Sequence, residues 1–382
     1  MEKACFGMKK LVAGWPASRF RDSNRWFARL VLALICGLTA ITAMPHDAAR
    51  YQVITSVKGG YSDQQLYRDI TSSVQAGRDY YSAAAALQRT HGYPTAPAVV
   101  FREPFEALLL ASLRTDGLRW GLLLGLGAAA FLLLRKALDQ LDLSLGTRLL
   151  VMVMAATGFA NLATPSAPYV HEIWGGMLLT LSLAAYRRDA WIASVALGFC
   201  ACLFREIAAP YLLVMFLAAA VERNWRECAA WFIAAALFVA VMAVHLVLAS
   251  RQHLPGDGIS PGWLRFGGWP FVITMALRNL LFTHLPLWGV SLGVSLCFLG
   301  MAGVHHPWMA RVAATVMTFA LIFAVAGRQA TYYWGILYAP LLPLGLAFAP
   351  PALFDLVRAA LGRPGPAELG PVVTNAPSPE IG

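Results

Sequence analysis

Charge is what this 382-residue sequence has least of: Asp, Glu, Lys and Arg together make up 13% of it. Soluble domains carry about 25%. Hydrophobic residues account for 58% and mean hydropathy is +0.59, so the chain reads as an integral membrane protein. Its apolar runs also lack period-two alternation, which excludes a transmembrane barrel. Cysteine is sparse and unpatterned. None of the six is spaced as a metal site, and the polar stretch after the first apolar run holds none, so no disulfide staples it. Cys200-Ala201-Cys202 lies in an apolar run and reads as packing. No Gly-rich nucleotide-binding fingerprint occurs, and no internal repeat is visible. The net charge of +10 is dispersed at the ends of apolar runs, which fits membrane orientation rather than nucleic acid.

What is present is a series of apolar runs, each roughly 15 to 22 residues long, between short charged clusters. They predict an all-α polytopic membrane protein of about ten transmembrane helices with both termini cytoplasmic, in a bacterial inner membrane. The spans fall near 26–44, 117–134, 148–163, 170–186, 190–204, 207–221, 229–249, 285–304, 312–327 and 334–349. Residues 1–25, with Lys3, Lys9, Lys10, Arg19, Arg21 and Arg25, form a basic cytoplasmic tail. The transmembrane domain covers 26–350, with extracytoplasmic loops at 46–116 and 251–283. Residues 351–382 form a cytoplasmic interfacial helix, near 352–361, and a disordered Pro-rich end from Pro364. The first span also has a signal peptide's basic flank and small residues, Ala40 and Ala43; an uncleaved anchor is the preferred reading. The runs at 190–204 and 207–221 are short, so the Arg205-Glu206 turn between them dips toward the membrane.

The loop 46–116 carries interfacial helices. Ser62 is a good N-cap, and Gln65 three residues later completes a capping-box pattern. At about 100° per residue, Leu66, Tyr67, Ile70 and Val74 form one stripe with Asp63 at its centre. Asp69 falls opposite, with Gln65, Arg68 and Ser72. Asp63 therefore points at whatever the stripe covers, as a general base; its alternative is a dipole contribution of about 0.3–1 kcal/mol. A second helix near 79–88 stops around His91-Gly92-Tyr93-Pro94. The segment 101–110 reads as an amphipathic helix with Pro104 in its first turn, and Glu103 and Glu106 as cap and first-turn acids or site residues. Residues 271–283, with Arg278 and Asn279, read as a helix along the outer surface.

Polar residues near a membrane core are expensive and default to function. Asp63, Glu103, Glu106, His171, Glu172, Arg205, Glu206, Arg278 and Arg328 all fall on the outer side. Outer arginines at span ends run against the positive-inside tendency, so Arg205 and Arg328 stand out as phosphate binders, with headgroup snorkelling as the alternative. Arg205 and Glu206 are adjacent, and on a helix they do not face each other, so no mutual ion pair is expected. His171-Glu172 heads the fourth span as a general base, a cap or a metal pair, the last needing about two further ligands. His305-His306 reads as a polar turn and His245 as hydrogen-bonded structure.

These residues resemble the GT-C class of polytopic glycosyltransferases. The resemblance rests on Gly60-Tyr61-Ser62-Asp63 after the first span and Tyr169-Val170-His171-Glu172 opening the fourth. Phe204-Arg205-Glu206 before an apolar run, and Arg328 followed by Tyr332-Tyr333 and Tyr338-Ala339-Pro340, complete it. It covers about residues 26 to 350. The class's Asp-Glu pair in the first loop is absent, Asp63 being followed by Gln64, and so is a sizeable soluble C-terminal domain. What the resemblance implies is inverting transfer of a sugar from a polyprenyl-phosphate donor to a glycan, lipid or protein hydroxyl on the extracytoplasmic face. Asp63 and Glu172 would be catalytic and Arg205 and Arg328 would hold the phosphate. His171, Glu206, Glu103, Arg278 and Tyr332 would line the site. No cofactor is assigned, and metal dependence stays open. A flippase for a lipid-linked saccharide and a non-catalytic envelope-assembly subunit are the competing readings.

Overall fold

The computed structural model describes residues 18–44 and 60–362. The basic residues Lys3, Lys9 and Lys10, Cys5, the start of the first loop at 46–59 and the Pro-rich end from Pro364 lie outside the described residues.

Among the described residues the fold is helical throughout, and extended chain pairs only in an isolated parallel bridge between Ala96 and Ile259. The helices are α1 (Arg25–Ala43), α2 (Asp63–Gln75), α3 (Tyr80–Thr90), α4 (Phe105–Ser112), α5 (Asp116–Ala137), α6 (Leu145–Phe159) and α7 (His171–Ala185). They continue as α8 (Ile192–Phe204), α9 (Pro210–Val221), α10 (Trp225–Ser250), α11 (Gly268–Ala276), α12 (Leu287–Gly303), α13 (Pro307–Val325) and α14 (Leu344–Ala360). Polar residues at the breaks between apolar runs start many of them. Asn24, Ser62, Asp79, Thr115, Ser144, Asn224 and His306 each accept a first-turn backbone N–H.

Five helical stretches are long and apolar enough to cross a membrane: α1, α5 with its extension to Leu141, α6 with its extension to Ala163, α10 and α13. Where about ten spans were expected, α8, α9 and α12 are apolar but shorter. Among the described residues the protein is thus all-helical, with several helices of membrane-crossing length.

Trp308 at the start of α13 donates through Nε1 to the Leu183 carbonyl at the end of α7, 2.8 Å away. Arg311 sits beside them, 4.2 Å from the Tyr186 ring, paired to Glu222 and Glu227. At this same end Trp191, Ile192 and Ala193 at the foot of α8 share a cleft with Asn224 and Arg226. Helices α8 and α9 are therefore the two arms of one hairpin. Arg205 is its apex, extended at φ −155° and ψ 107°, and a 3-10 turn over Glu206–Ala208 leads into α9. Because Arg205 is not helical, the expectation that it cannot pair with Glu206 fails: its Nη1 donates to Glu206 Oε1.

Two further expectations are corrected by packing. The surface helix expected at 271–283 is α11, whose residues Phe271 to Ala276 are all buried. A helix apolar on every side is an interior helix, and this one is wedged against α13 and the 3-10 segment Gln329–Tyr338. The last span expected at 334–349 is that 3-10 segment, a turn, and the first part of α14. Helix α14 carries Pro350 and Pro351 within it and absorbs the expected interfacial helix near 352–361.

Helices α12 and α14 touch backbone to backbone. A Cβ on Gly300 would collide with the Gly345 carbonyl oxygen, and one on Gly345 with the Cys297 carbonyl oxygen. Small residues let helices approach in this way, and the gain is dispersion. Gly300→Ala is expected to cost about 1–3 kcal/mol of stability by overpacking. Denaturant unfolding in detergent measures it. Gly37→Ala on α1, where nothing outside its own helix turn lies within 4 Å of the new methyl, should instead gain about 0.5–1 kcal/mol.

Candidate active site

The Ser62 hydroxyl accepts the Gln65 N–H at 3.2 Å and starts α2 at Asp63. Only half of the expected capping box forms. The Gln65 side chain donates to Asp69 Oδ1 at 2.9 Å instead of turning back, and the Tyr61 hydroxyl donates to Asp69 Oδ2 at 2.6 Å. Asp69 is thus held on the polar side, as the helical period requires. Leu66 and Ile70 are buried against α3 and α4. With that face anchored, Asp63 on the same stripe opens into a cavity of about 270 Å³.

The cavity collects residues from five separated stretches. Asp63, Arg102, His171, Glu172, Arg278 and Tyr332 line it, with Tyr67, Tyr169 and Tyr333 adding an aromatic, hydroxyl-bearing wall. Asp63 is half-buried there. Burial first, then the Asp63 charge and hydrogen bond, push the Tyr93 hydroxyl above its usual range. Among the described residues no ion pair ties Asp63.

Behind the cavity wall runs an alternating chain of charges. Arg205 Nε donates to Glu172 Oε1 at 2.6 Å, and its Nη1 to Glu206. Arg102 Nη1 donates to the same Glu206 oxygen at 3.1 Å, and its Nε to the Tyr67 hydroxyl at 3.2 Å. Two guanidinium groups and two carboxylates cancel, as groups taken out of water must. Arg205 is 0% exposed and is linked to the cavity lining through Glu172, and through Glu206 to Arg102. Arg205, expected as a phosphate binder, thus stands behind Glu172 rather than on the cavity lining.

Arg328 does not line the cavity either. It lies over the Trp263 ring at 5.7 Å, and its backbone N–H donates to Thr331 Oγ1 at 2.9 Å. The cations that do face the cavity are Arg102 and Arg278. Arg278 was expected as a lining residue and stacks 5.4 Å over Tyr332. Arg102 was missed. Its signal was an arginine fixed before Pro104 in an outer segment, overshadowed by its neighbouring acids.

Glu106 is a first-turn acid of α4, as expected, but Glu103 does not cap the helix. Pro104 is its N-cap with no side-chain bond, and both glutamates are buried. Glu106 sits with Oε2 3.6 Å from His171 Nδ1 and with neither oxygen hydrogen-bonded. Burial, then the Glu172 charge, holds the Glu106 carboxyl well above the usual carboxylate range. Burial and the neighbouring Glu206 do the same to Glu103. A raised folded-state value means the native protein keeps protons that the unfolded chain releases. Stability is then fully present below the unfolded value near about pH 4 and falls as pH rises toward the folded value. Glu106→Gln is expected to flatten this decline and to stabilise the protein at neutral pH. Unfolding curves between about pH 4.5 and 8 test it; an unchanged slope would show Glu106 ionised in the fold.

Elsewhere His245 is hydrogen-bonded structure, as expected, between the Tyr81 hydroxyl at 3.1 Å and the Phe101 carbonyl at 3.2 Å. Among the described residues no group of three or more His, Cys, Asp or Glu side chains is gathered to hold a metal ion, and His171 and Glu172 form no such group with Asp63. No family model matches the chain, and no curated protein and no solved structure matches it either.

Proposed function

We propose that this is a membrane glycosyltransferase of the GT-C kind, moving a sugar from a polyprenyl-phosphate donor to an acceptor hydroxyl with inversion. The observation that carries the reading is the cavity itself, where Asp63 shares about 270 Å³ with Glu172 and two arginines. In the proposed topology this end of the bundle is extracytoplasmic, both termini are cytoplasmic, and the short helices supplement the five full-length crossings to make about ten. Nucleotide sugars are made in the cytoplasm, so chemistry outside requires a sugar carried by lipid.

In the reaction the acceptor oxygen attacks the anomeric carbon from the face opposite the phosphate. Asp63 takes the hydroxyl proton as the new C–O bond forms. The bond from the anomeric carbon to the phosphate oxygen breaks, and its electron pair leaves with the lipid phosphate. Arg102 and Arg278 face that developing charge with donors suited to phosphate oxygens. Glu172 is neutralised by Arg205 and shapes the wall, Arg102 is held by Glu206, and Asp63, which has no ion pair among the described residues, is the carboxylate that takes the proton. The proton then passes from Asp63 to water at the open side.

The test uses the protein in lipid vesicles with a polyprenyl-phosphate sugar labelled in the sugar. Acceptor-dependent release of polyprenyl phosphate is the expected result. Movement of the intact labelled lipid across the bilayer would replace the transferase reading with a flippase. If the donor is neither cleaved nor moved, a scaffold reading takes its place.

A further inference from the structure

The loop between α10 and α11 is unusual in what it displays. It is pinned at its start, where Arg89 Nε and Nη2 hold Asp257 at 2.7 and 2.8 Å and the Ser260 N–H donates to the Ala96 carbonyl at 2.7 Å. It is pinned again at its end: the Gly267 N–H donates to the Ala324 carbonyl at 2.9 Å, and the Gly327 N–H to the Trp263 carbonyl at 2.7 Å. Between these fastenings Leu264 is 88% exposed and Phe266 79% exposed, with Arg265 exposed between them. A tip held this firmly does not turn its apolar side chains inward.

We propose that Leu264-Arg265-Phe266 is a wedge that enters the lipid leaflet at the rim of the cavity, with Arg265 and Arg328 reaching lipid headgroup phosphates. Three observations select lipid as the occupant. The tip hangs on the last turn of α13, a helix of membrane-crossing length, whose Leu321 and Val325 are 70% and 50% exposed. Leu264 and Phe266 therefore extend an apolar band that faces lipid. The stretch 258–270 contains two tryptophans and an arginine and no acid, the composition of a membrane-interface belt. Arg328 lies over the Trp263 ring and is partly exposed beside the tip, a position that suits a guanidinium at headgroup level. The outer arginine picked out in the sequence for phosphate thus finds its anion in the leaflet rather than in the cavity.

The wedge also sets the depth of the cavity. From Arg328 the chain runs four residues to Tyr332, the ring under Arg278 on the cavity wall. Fixing the tip in the leaflet fixes that wall against the plane in which a lipid substrate lies.

The test is independent of any catalytic activity. In full-length protein with Cys5, Cys36 and Cys200 replaced by alanine, a nitroxide is placed at Leu264→Cys, and separately at Phe266→Cys, in bilayers containing anionic lipid. Leu321→Cys serves as the lipid-facing reference and Ala86→Cys, exposed on α3, as the reference away from α13. Both side chains are exposed, so the replacements leave the fold intact. The expected result is collision with oxygen exceeding that with a water-soluble nickel complex by the same several-fold ratio as at Leu321. Collision with nickel at the level seen at Ala86 would put the tip in water and overturn the proposal. Access to neither reagent would mean a protein partner or a second copy covers it, and would overturn it equally.

Discussion

Asp63→Asn is expected to abolish sugar transfer while the protein stays folded and abundant. A positioned general base contributes about 10²–10⁴-fold in rate, and an amide cannot accept the acceptor's proton. The cost to folding is small. Asp63 is half-buried at the first residue of α2, where Ser62 supplies the cap, and loss of its charge forfeits about 0.3–1 kcal/mol of dipole interaction. Initial rates of polyprenyl-phosphate release in vesicles, normalised to protein amount, measure the effect. Unchanged turnover would remove Asp63 from the chemistry. If Glu172→Gln alone produced the loss, the base would be Glu172 and its pairing with Arg205 a resting state.

Replacing Arg205 is expected to bring the largest loss of stability. The side chain is fully buried at the apex of the α8–α9 hairpin and holds Glu172 and Glu206 together. Removing one member of a buried pair leaves uncompensated charge and costs about 3–5 kcal/mol. Arg205→Met should therefore unfold at much lower denaturant than the native protein. Adding Glu172→Gln should recover a good part of the loss, because Glu206 keeps its bond to Arg102 at 3.1 Å. The double-mutant cycle reads the coupling directly. A loss below about 1 kcal/mol, the scale of a solvated pair, would mean water reaches the apex.

What could be read from the sequence was governed by local rules. The N-cap at Ser62, the stripe of α2 and the placing of Asp63 on it follow from helical period, and they hold. The polar side of the helix, with Asp69, follows from the same period. Apolar runs located α5, α7 and α10 nearly to their ends. Long-range packing decided the rest. Nothing local distinguishes Arg102 from a snorkelling arginine until Glu206, over a hundred positions later, meets it. The backbone at Arg205 is extended where it meets its two carboxylate partners, which reverses an adjacency argument that assumed a helix. Helix α11 has the composition of a lipid-facing helix and is instead enclosed by its neighbours. The cavity's composition was largely legible as a set of polar residues at the ends of apolar runs. Which arginines face it was not.

The arms of the α8–α9 hairpin have 13 and 12 residues and so rise only about 20 Å. A bilayer's hydrocarbon slab is about 30 Å thick. In the proposed topology each arm can complete a crossing only where the bilayer around the protein is thinned toward the arms' own length. On that reading acyl-chain length would act on the hairpin: short chains match its arms and long chains leave its apex below the headgroups.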